Sequence, residues 1–294
     1  MPQKPRPRRS VLFVPGSNPR ALEKARELPA DGLVFDLEDA VAPAEKERAR
    51  ENVAAALGAG GYGGRELVVR VNAPDTAWGR DDVAAAAAMP LDAVLLPKTE
   101  TAAAVLGTAA LLQKSGAPDG LALWCMLETP LGILGAREIA AASPRLAALV
   151  LGTSDLTRDL HARHTRDRLP LVTALSLVIL AGRAYGLAIL DGVALDLVDE
   201  EGFAAVCRQG RDLGFDGKTL IHPKQIAAAN AAFGPSPEEL DRAHRVAAAY
   251  AAAEARGEGV VLLDGRLVEA LHAAEARRLL ALAEEIAKRE AAFR

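Results

Sequence analysis

Eight short apolar runs, each followed by an alanine-rich stretch of helical composition, succeed one another along this chain of 294 residues. They fall at 11–14, 32–37, 67–71, 93–96, 121–127, 148–151, 188–190 and 219–221. A strand-then-helix rhythm argues for βαβ units and a parallel sheet. Eight such units predict an α/β fold closed into a TIM (β/α)8 barrel rather than an open sheet. The intervening stretches are rich in Ala, Glu, Arg and Leu, all good helix formers, with Pro or Gly at most boundaries.

The pattern changes after the eighth unit. Residues 1–234 form the expected barrel domain, and 235–294 a C-terminal helical extension at the barrel mouth or a subunit interface. Ser236 with Glu239 spells a capping box that opens a helix through about Arg256. A short apolar run at 260–263 and a charged closing helix follow.

Half of the residues are apolar, which suffices for one large core. The net charge of −4, without long like-charge runs, offers no footprint for nucleic acid or an acidic membrane surface. A small-molecule substrate is therefore expected. Cys125 and Cys207 lie far apart inside apolar segments and read as buried thiols, so the cytoplasm is the expected compartment. The basic N-terminus is followed by too short an apolar run for a signal peptide, and no segment has the length of a membrane span.

Barrel chemistry gathers where strands end, so the polar residues there matter most. The second run closes on Asp36-Leu37-Glu38-Asp39, the third on Arg70-Val71-Asn72, the fourth on Lys98-Thr99-Glu100 and the fifth on Glu128-Thr129. The sixth closes on Gly152-Thr153-Ser154-Asp155, the seventh on Asp191 and the eighth on His222-Pro223-Lys224. The opposite strand ends are expected to carry far fewer polar groups. Any one of these residues could be a helix cap, Asp39 and Thr153 or Ser154 most readily, and His222 a hydrogen-bonded strand-end histidine. Glu128 and Asp155, on adjacent strands and without cysteine or clustered histidine, suit a hard cation such as Mg²⁺, or Mn²⁺ in its place. His161 and His164 sit in an Arg-rich loop and read as surface residues. The glycine-rich 58–64 stretch lacks the order of a dinucleotide fingerprint and the lysine of a P-loop, so it reads as a flexible turn. No Gly-x-Ser-x-Gly elbow appears, which argues against serine-hydrolase chemistry.

The ordered segments Ser10-Val-Leu-Phe-Val-Pro-Gly, Phe35-Asp-Leu-Glu-Asp-Ala-Val, Val69-Arg-Val-Asn, Leu96-Pro-Lys-Thr-Glu, Glu128-Thr-Pro, Gly152-Thr-Ser-Asp and Ile221-His-Pro-Lys-Gln-Ile resemble the HpcH/HpaI aldolase and citrate lyase β-subunit family. The resemblance spans nearly the whole chain and implies a TIM barrel. It implies that Glu128 and Asp155 hold Mg²⁺, and that Arg70 meets the oxygen of a small keto- or hydroxy-acid which the ion also chelates. Asp36, Glu38 and Asp39 would orient Arg70 and metal-bound waters. Phe13, Arg20 and Lys24 would contact the arm of coenzyme A or of an acyl-carrier protein, and Ile221 and His222 would line the thioester channel.

The family's tail motif, Asp-Gly-Lys-Met-Ile-Asp-x-Pro, carries an acid/base aspartate that reaches the site from a neighbouring subunit. Here it reads Asp264-Gly-Arg-Leu-Val-Glu269-Ala-Leu. Glu269 is the corresponding base, displaced by more than ~1 Å through its extra methylene. The resemblance implies a Mg²⁺-dependent carbon–carbon lyase that cleaves a short 3-hydroxyacyl-CoA, of malyl or citramalyl type, to an acetyl-thioester and a 2-oxo acid. The change to Glu269 brings forward hydrolysis of the malyl thioester as an alternative. A citryl-lyase subunit served by an acyl-carrier protein, and a non-catalytic barrel binding acyl-CoA or a dicarboxylate, are the other readings. A base acting in trans implies a homotrimer or a dimer of trimers, hence a hexamer.

Overall fold

A computed structural model describes residues 5–291. It divides into two compact units, 8–233 and a second made of the N-terminal segment through Pro7 with the chain from Gly234 onward.

The first unit is a closed barrel of eight parallel strands in sequential order. The strands are β1 (Ser10–Pro15), β2 (Gly32–Asp36), β3 (Glu66–Arg70), β4 (Ala93–Leu96), β5 (Ala122–Leu127), β6 (Leu146–Leu151), β7 (Ala188–Asp191) and β8 (Gly217–Leu220). All eight expected strands are present, with small shifts at their ends. The largest shift is at β8, which runs 217–220 rather than 219–221. Lys218 interrupts the apolar pattern there, yet it is fully buried, because its ammonium reaches Asp191 at 3.0 Å and the carbonyl of Gly192.

Side chains alternate across each strand. Val11, Val34, Val68, Leu95, Trp124, Val150 and their neighbours form one buried cluster that fills the barrel. The alternate residues, such as Leu33, Phe35, Val69, Leu123 and Leu149, join a larger cluster with the surrounding helices. Asp36, Arg70 and Glu128 share the parity of the inner set, so they continue the inner face upward at the strand ends.

The strand ends on the other side are more charged than the sequence suggests. Arg8 pairs with Glu66 at 2.6 Å, Arg9 with Asp31 at 2.9 Å and Arg183 with Asp216 at 2.8 Å. Those pairs are separated by about 20 to 60 residues in the chain, which hides them from a linear reading. The 58–64 loop is also anchored rather than loose: Tyr62 is buried, packs edge-on against Phe35 with ring centroids 5.2 Å apart, and donates its hydroxyl to the Leu22 carbonyl.

On the helix side of β7, Asp191 is fully buried between Lys218 and Arg168, whose guanidinium donates to both carboxylate oxygens at 2.7 and 2.8 Å. Removing one partner of a buried pair strands the others. Asp191→Ala is therefore expected to cost about 3–5 kcal/mol, read from the midpoint of urea unfolding.

The second unit packs the helices Pro237–Glu254 and Ala270–Ala291 with a hairpin of β9 (Val260–Leu263) and β10 (Arg266–Glu269) around Ala243, Val246, Tyr250, Val268, Ala273 and Ala276. The capping box at Ser236 and Glu239 forms as expected. The sequence reading missed β10. Its signal was Asp264-Gly265, both with positive φ, at 51° and 72°, a two-residue turn suited to a hairpin. Glu269 ends β10, and its backbone N–H donates to His272 Nδ1 at 3.0 Å.

Candidate active site at the barrel mouth

Register explains the centre of the site. Asp36 and Arg70 end neighbouring strands as direct partners, so their side chains stand side by side on the inner face. Arg70 donates Nε to Asp36 Oδ1 at 2.7 Å and Nη2 to Oδ2 at 2.6 Å, a two-pronged clamp. Its guanidinium lies over the Phe13 ring, 4.8 Å from the centroid, and Nη1 meets Glu38 at 3.0 Å. Burial opposes the Arg70 charge, but the carboxylates of Asp36, Glu38 and Asp39 together more than offset it, so the group is held cationic. Phe13 thus lies under Arg70 on the inner face of β1.

Glu128 follows β5 and is buried, with Oε1 accepting the Lys98 backbone N–H at 2.7 Å. Burial is the main cause that pushes its carboxyl up to about 7. Gly152, after β6, makes room for it: a Cβ there would lie 2.3 Å from Glu128 Cβ and 2.4 Å from Oε2. Asp155 stands in the first turn of the helix Thr153–Asp159 and is held by Arg158 at 2.6 Å. Neither Thr153 nor Ser154 caps that helix; the Thr153 hydroxyl donates to the Val193 carbonyl at 3.2 Å instead. Asp39 caps no helix either, because the next helical turn begins at Pro43 behind Ala42, and it faces Arg70 and Lys98 instead.

Two lysines complete the mouth, and the sequence reading gave neither a role. Lys46 is buried and donates to the carbonyls of Leu37 and Glu38 and to Asn72 Oδ1 at 2.7–2.9 Å, pinning the loop that carries Glu38. Lys98 contacts Glu38 with its ammonium and lies 3.5 Å from Asp39. The one signal for Lys98 was its place just past a strand in Leu96-Pro-Lys.

The remaining expected residues have other surroundings. Arg20 and Lys24 are exposed on the helix Pro19–Lys24 and, among the described residues, make no ion pair. Ile221 is half-exposed past β8, and His222 Nδ1 accepts the Lys224 N–H at 3.2 Å, the strand-end role considered for it. Both cysteines are buried and unpaired.

The donor set suits a hard divalent cation. Asp36, Glu38, Asp39 and Glu128 outnumber the three cations beside them, Arg70, Lys98 and Lys46, leaving negative charge in excess once all are ionised, and every candidate donor is an oxygen. Among the described residues, no three Asp, Glu, His or Cys side chains form a ready cage. Glu128 and Asp155 would hold such an ion with coordination positions left for substrate oxygens and water.

A parallel barrel that gathers a guanidinium and buried carboxylates at its mouth has the layout of an enzyme's active site. The chain belongs to the HpcH/HpaI aldolase/citrate lyase family, whose model matches residues 9–223. It is 53% identical over 281 residues to a (3S)-malyl-CoA thioesterase of Cereibacter sphaeroides, covering 96% of both chains. It is 40% identical to the citrate lyase β subunit of Escherichia coli, over 96% of this chain and 95% of that one. Among solved structures it resembles the protein CitE from Mycobacterium tuberculosis in complex with magnesium, acetoacetate and coenzyme A. That likeness has a TM-score of 0.74 and 32% identity, and covers 94% of this chain and 98% of the other.

Proposed function

We propose that the chain is a Mg²⁺-dependent hydrolase of a short 3-hydroxyacyl-CoA thioester, with (3S)-malyl-CoA as its substrate. The observation that carries this reading is the 53% identity, over nearly the full length of both chains, with a (3S)-malyl-CoA thioesterase. The geometry agrees with it. Arg70, clamped by Asp36 and set over Phe13, would bind with its remaining N–H an oxygen that gains negative charge.

Glu128 and Asp155 would hold Mg²⁺, which supplies Lewis-acid stabilisation of substrate oxygens when bound. Water adds to the thioester carbon, the C–S bond breaks, and the thiolate leaves and takes up a proton, giving malate and free CoA. Glu269 is the proposed base that removes the water proton, acting from a neighbouring subunit across a trimeric or hexameric assembly. On this reading dilution to subunit concentrations that dissociate the assembly abolishes activity per chain, and persistence of activity in monomers rejects the role in trans. Arg20, Lys24, Ile221 and His222 are proposed contacts of the CoA arm, and the cytoplasm the proposed compartment. No helix in the described residues is long and apolar enough to cross a membrane.

The second reading, carbon–carbon cleavage of the same substrate to glyoxylate and acetyl-CoA, is favoured by the similarity to citrate lyase β subunits. An acyl-carrier protein would replace CoA if the chain works as such a subunit. Initial rates with malyl-, citramalyl-, methylmalyl- and citryl-CoA choose the acyl group. A preference of tenfold or more for malyl-CoA is expected, and a preference for citryl-CoA rejects the proposed substrate.

A further inference from the structure

The two ends of Lys98 act on two different parts of the mouth. Its backbone is left-handed, with φ 46°, and aims its N–H at Glu128 Oε1, 2.7 Å away. Its ammonium closes a ring of charges. Glu38 turns one carboxylate oxygen to Arg70 at 3.0 Å and the other to Lys98. Asp39 does the same, with 3.6 Å to Arg70 and 3.5 Å to Lys98. The Lys98 side chain is 38% exposed, whereas that of Arg70 is 9% exposed, so the ammonium stands on the solvent side of the ring.

We infer that Lys98 sets the charge balance of the mouth, allowing one site to accept both a divalent cation and an anionic acid. The inference rests on the reading that Glu128 holds the ion and that acids bind at Arg70. Asp36, Glu38, Asp39 and Glu128 bring four negative charges to this mouth when ionised. With Lys98 neutral, only Arg70 and the buried Lys46 would be left as cations beside them, two positive charges against four negative. An incoming anion would then meet net repulsion, while a divalent cation would be drawn in at least as strongly. A residue that merely held the loop in shape would, on removal, weaken both ligands together. The opposite signs distinguish a positioning and charge-balancing role from packing.

Lys98→Met keeps the unbranched stem, the backbone N–H and the same burden of positive φ, and removes only the charge. Lys98→Arg restores it. The probes are Mn²⁺ alone, titrated calorimetrically, and acetoacetate titrated into Mg²⁺-saturated protein. In Lys98→Met, acetoacetate is expected to bind about tenfold more weakly, while Mn²⁺ binds as tightly as in the wild type or up to about threefold more tightly. Lys98→Arg is expected to recover acetoacetate binding to within about threefold. Lys98→Gln gives a second neutral variant, judged in the same way if Lys98→Met does not fold.

Loss of both affinities in a folded neutral variant, or no change in either, overturns the inference. So does a wild type that fails to bind either probe. A wild type that binds both probes yet hydrolyses no thioester removes the proposed reaction and leaves the role of Lys98 to be decided by the binding data.

Discussion

Replacing Arg70 by lysine is expected to lower kcat/KM about 10³-fold, although the charge is kept. An ammonium cannot make the two-pronged bond to Asp36 and still offer an N–H to the substrate oxygen. It also loses the planar stacking on Phe13 at 4.8 Å. Arg70 is the group aimed at developing negative charge, so the loss should fall mainly on kcat rather than KM. Asp36 is 1% exposed and would keep only part of its partner, so some loss of stability will accompany the kinetic effect. Asp36→Asn separates the two, because it spares the guanidinium and loosens its clamp. Its kcat/KM is expected to fall less than that of Arg70→Lys. Equal activity of Arg70→Lys and wild type would remove Arg70 from the reaction.

Glu128→Gln is expected to abolish turnover and Mg²⁺ binding, and yet to stabilise the metal-free protein above neutral pH. The sign follows from burial. The folded-state carboxyl is raised from 4.5 to about 7, so its stabilising contribution is complete below about pH 4.5 and is lost as pH rises through 7. At pH 8 the buried charge costs on the order of 3 kcal/mol, and the neutral glutamine avoids that cost. The amide oxygen can still accept the Lys98 N–H. Metal-free melts should therefore coincide below about pH 4.5 and diverge progressively up to pH 8, with the variant the more stable. Adding Mg²⁺ should raise the wild-type melting temperature more at pH 8 than at pH 6, because protons compete with the ion for the carboxylate. It should leave the variant where it was. A variant that melts below wild type at pH 8 would show that the carboxylate is satisfied by protein groups alone.

The barrel was legible because strands one to seven each carry an apolar run and the stretches between them a strong helical composition. Where Lys218 broke that run, the eighth strand was read two residues late, since only the fold reveals Asp191 waiting for the ammonium. Polar residues at the strand ends pointed to the mouth correctly. Their partnerships were another matter, for Glu38 and Asp39 meet Lys98 some sixty positions away, and a linear reading weighs them as helix caps. The inner-face parity shared by Asp36, Arg70 and Glu128 could be counted from the strand runs alone. The space that Gly152 leaves for the Glu128 carboxylate could not, because it is a contact between two strands. The charged floor of Arg8, Arg9 and Arg183 escaped notice for the same reason.

Hydrolysis and carbon–carbon cleavage of (3S)-malyl-CoA differ in whether a free thiol appears. A continuous thiol assay on the purified full chain, with Mg²⁺ and then with excess EDTA, separates them most directly. The proposed function predicts stoichiometric release of free CoA with malate, dependent on the metal and absent in Glu128→Gln. Accumulation of acetyl-CoA and glyoxylate without free thiol would contradict it and make the chain a lyase.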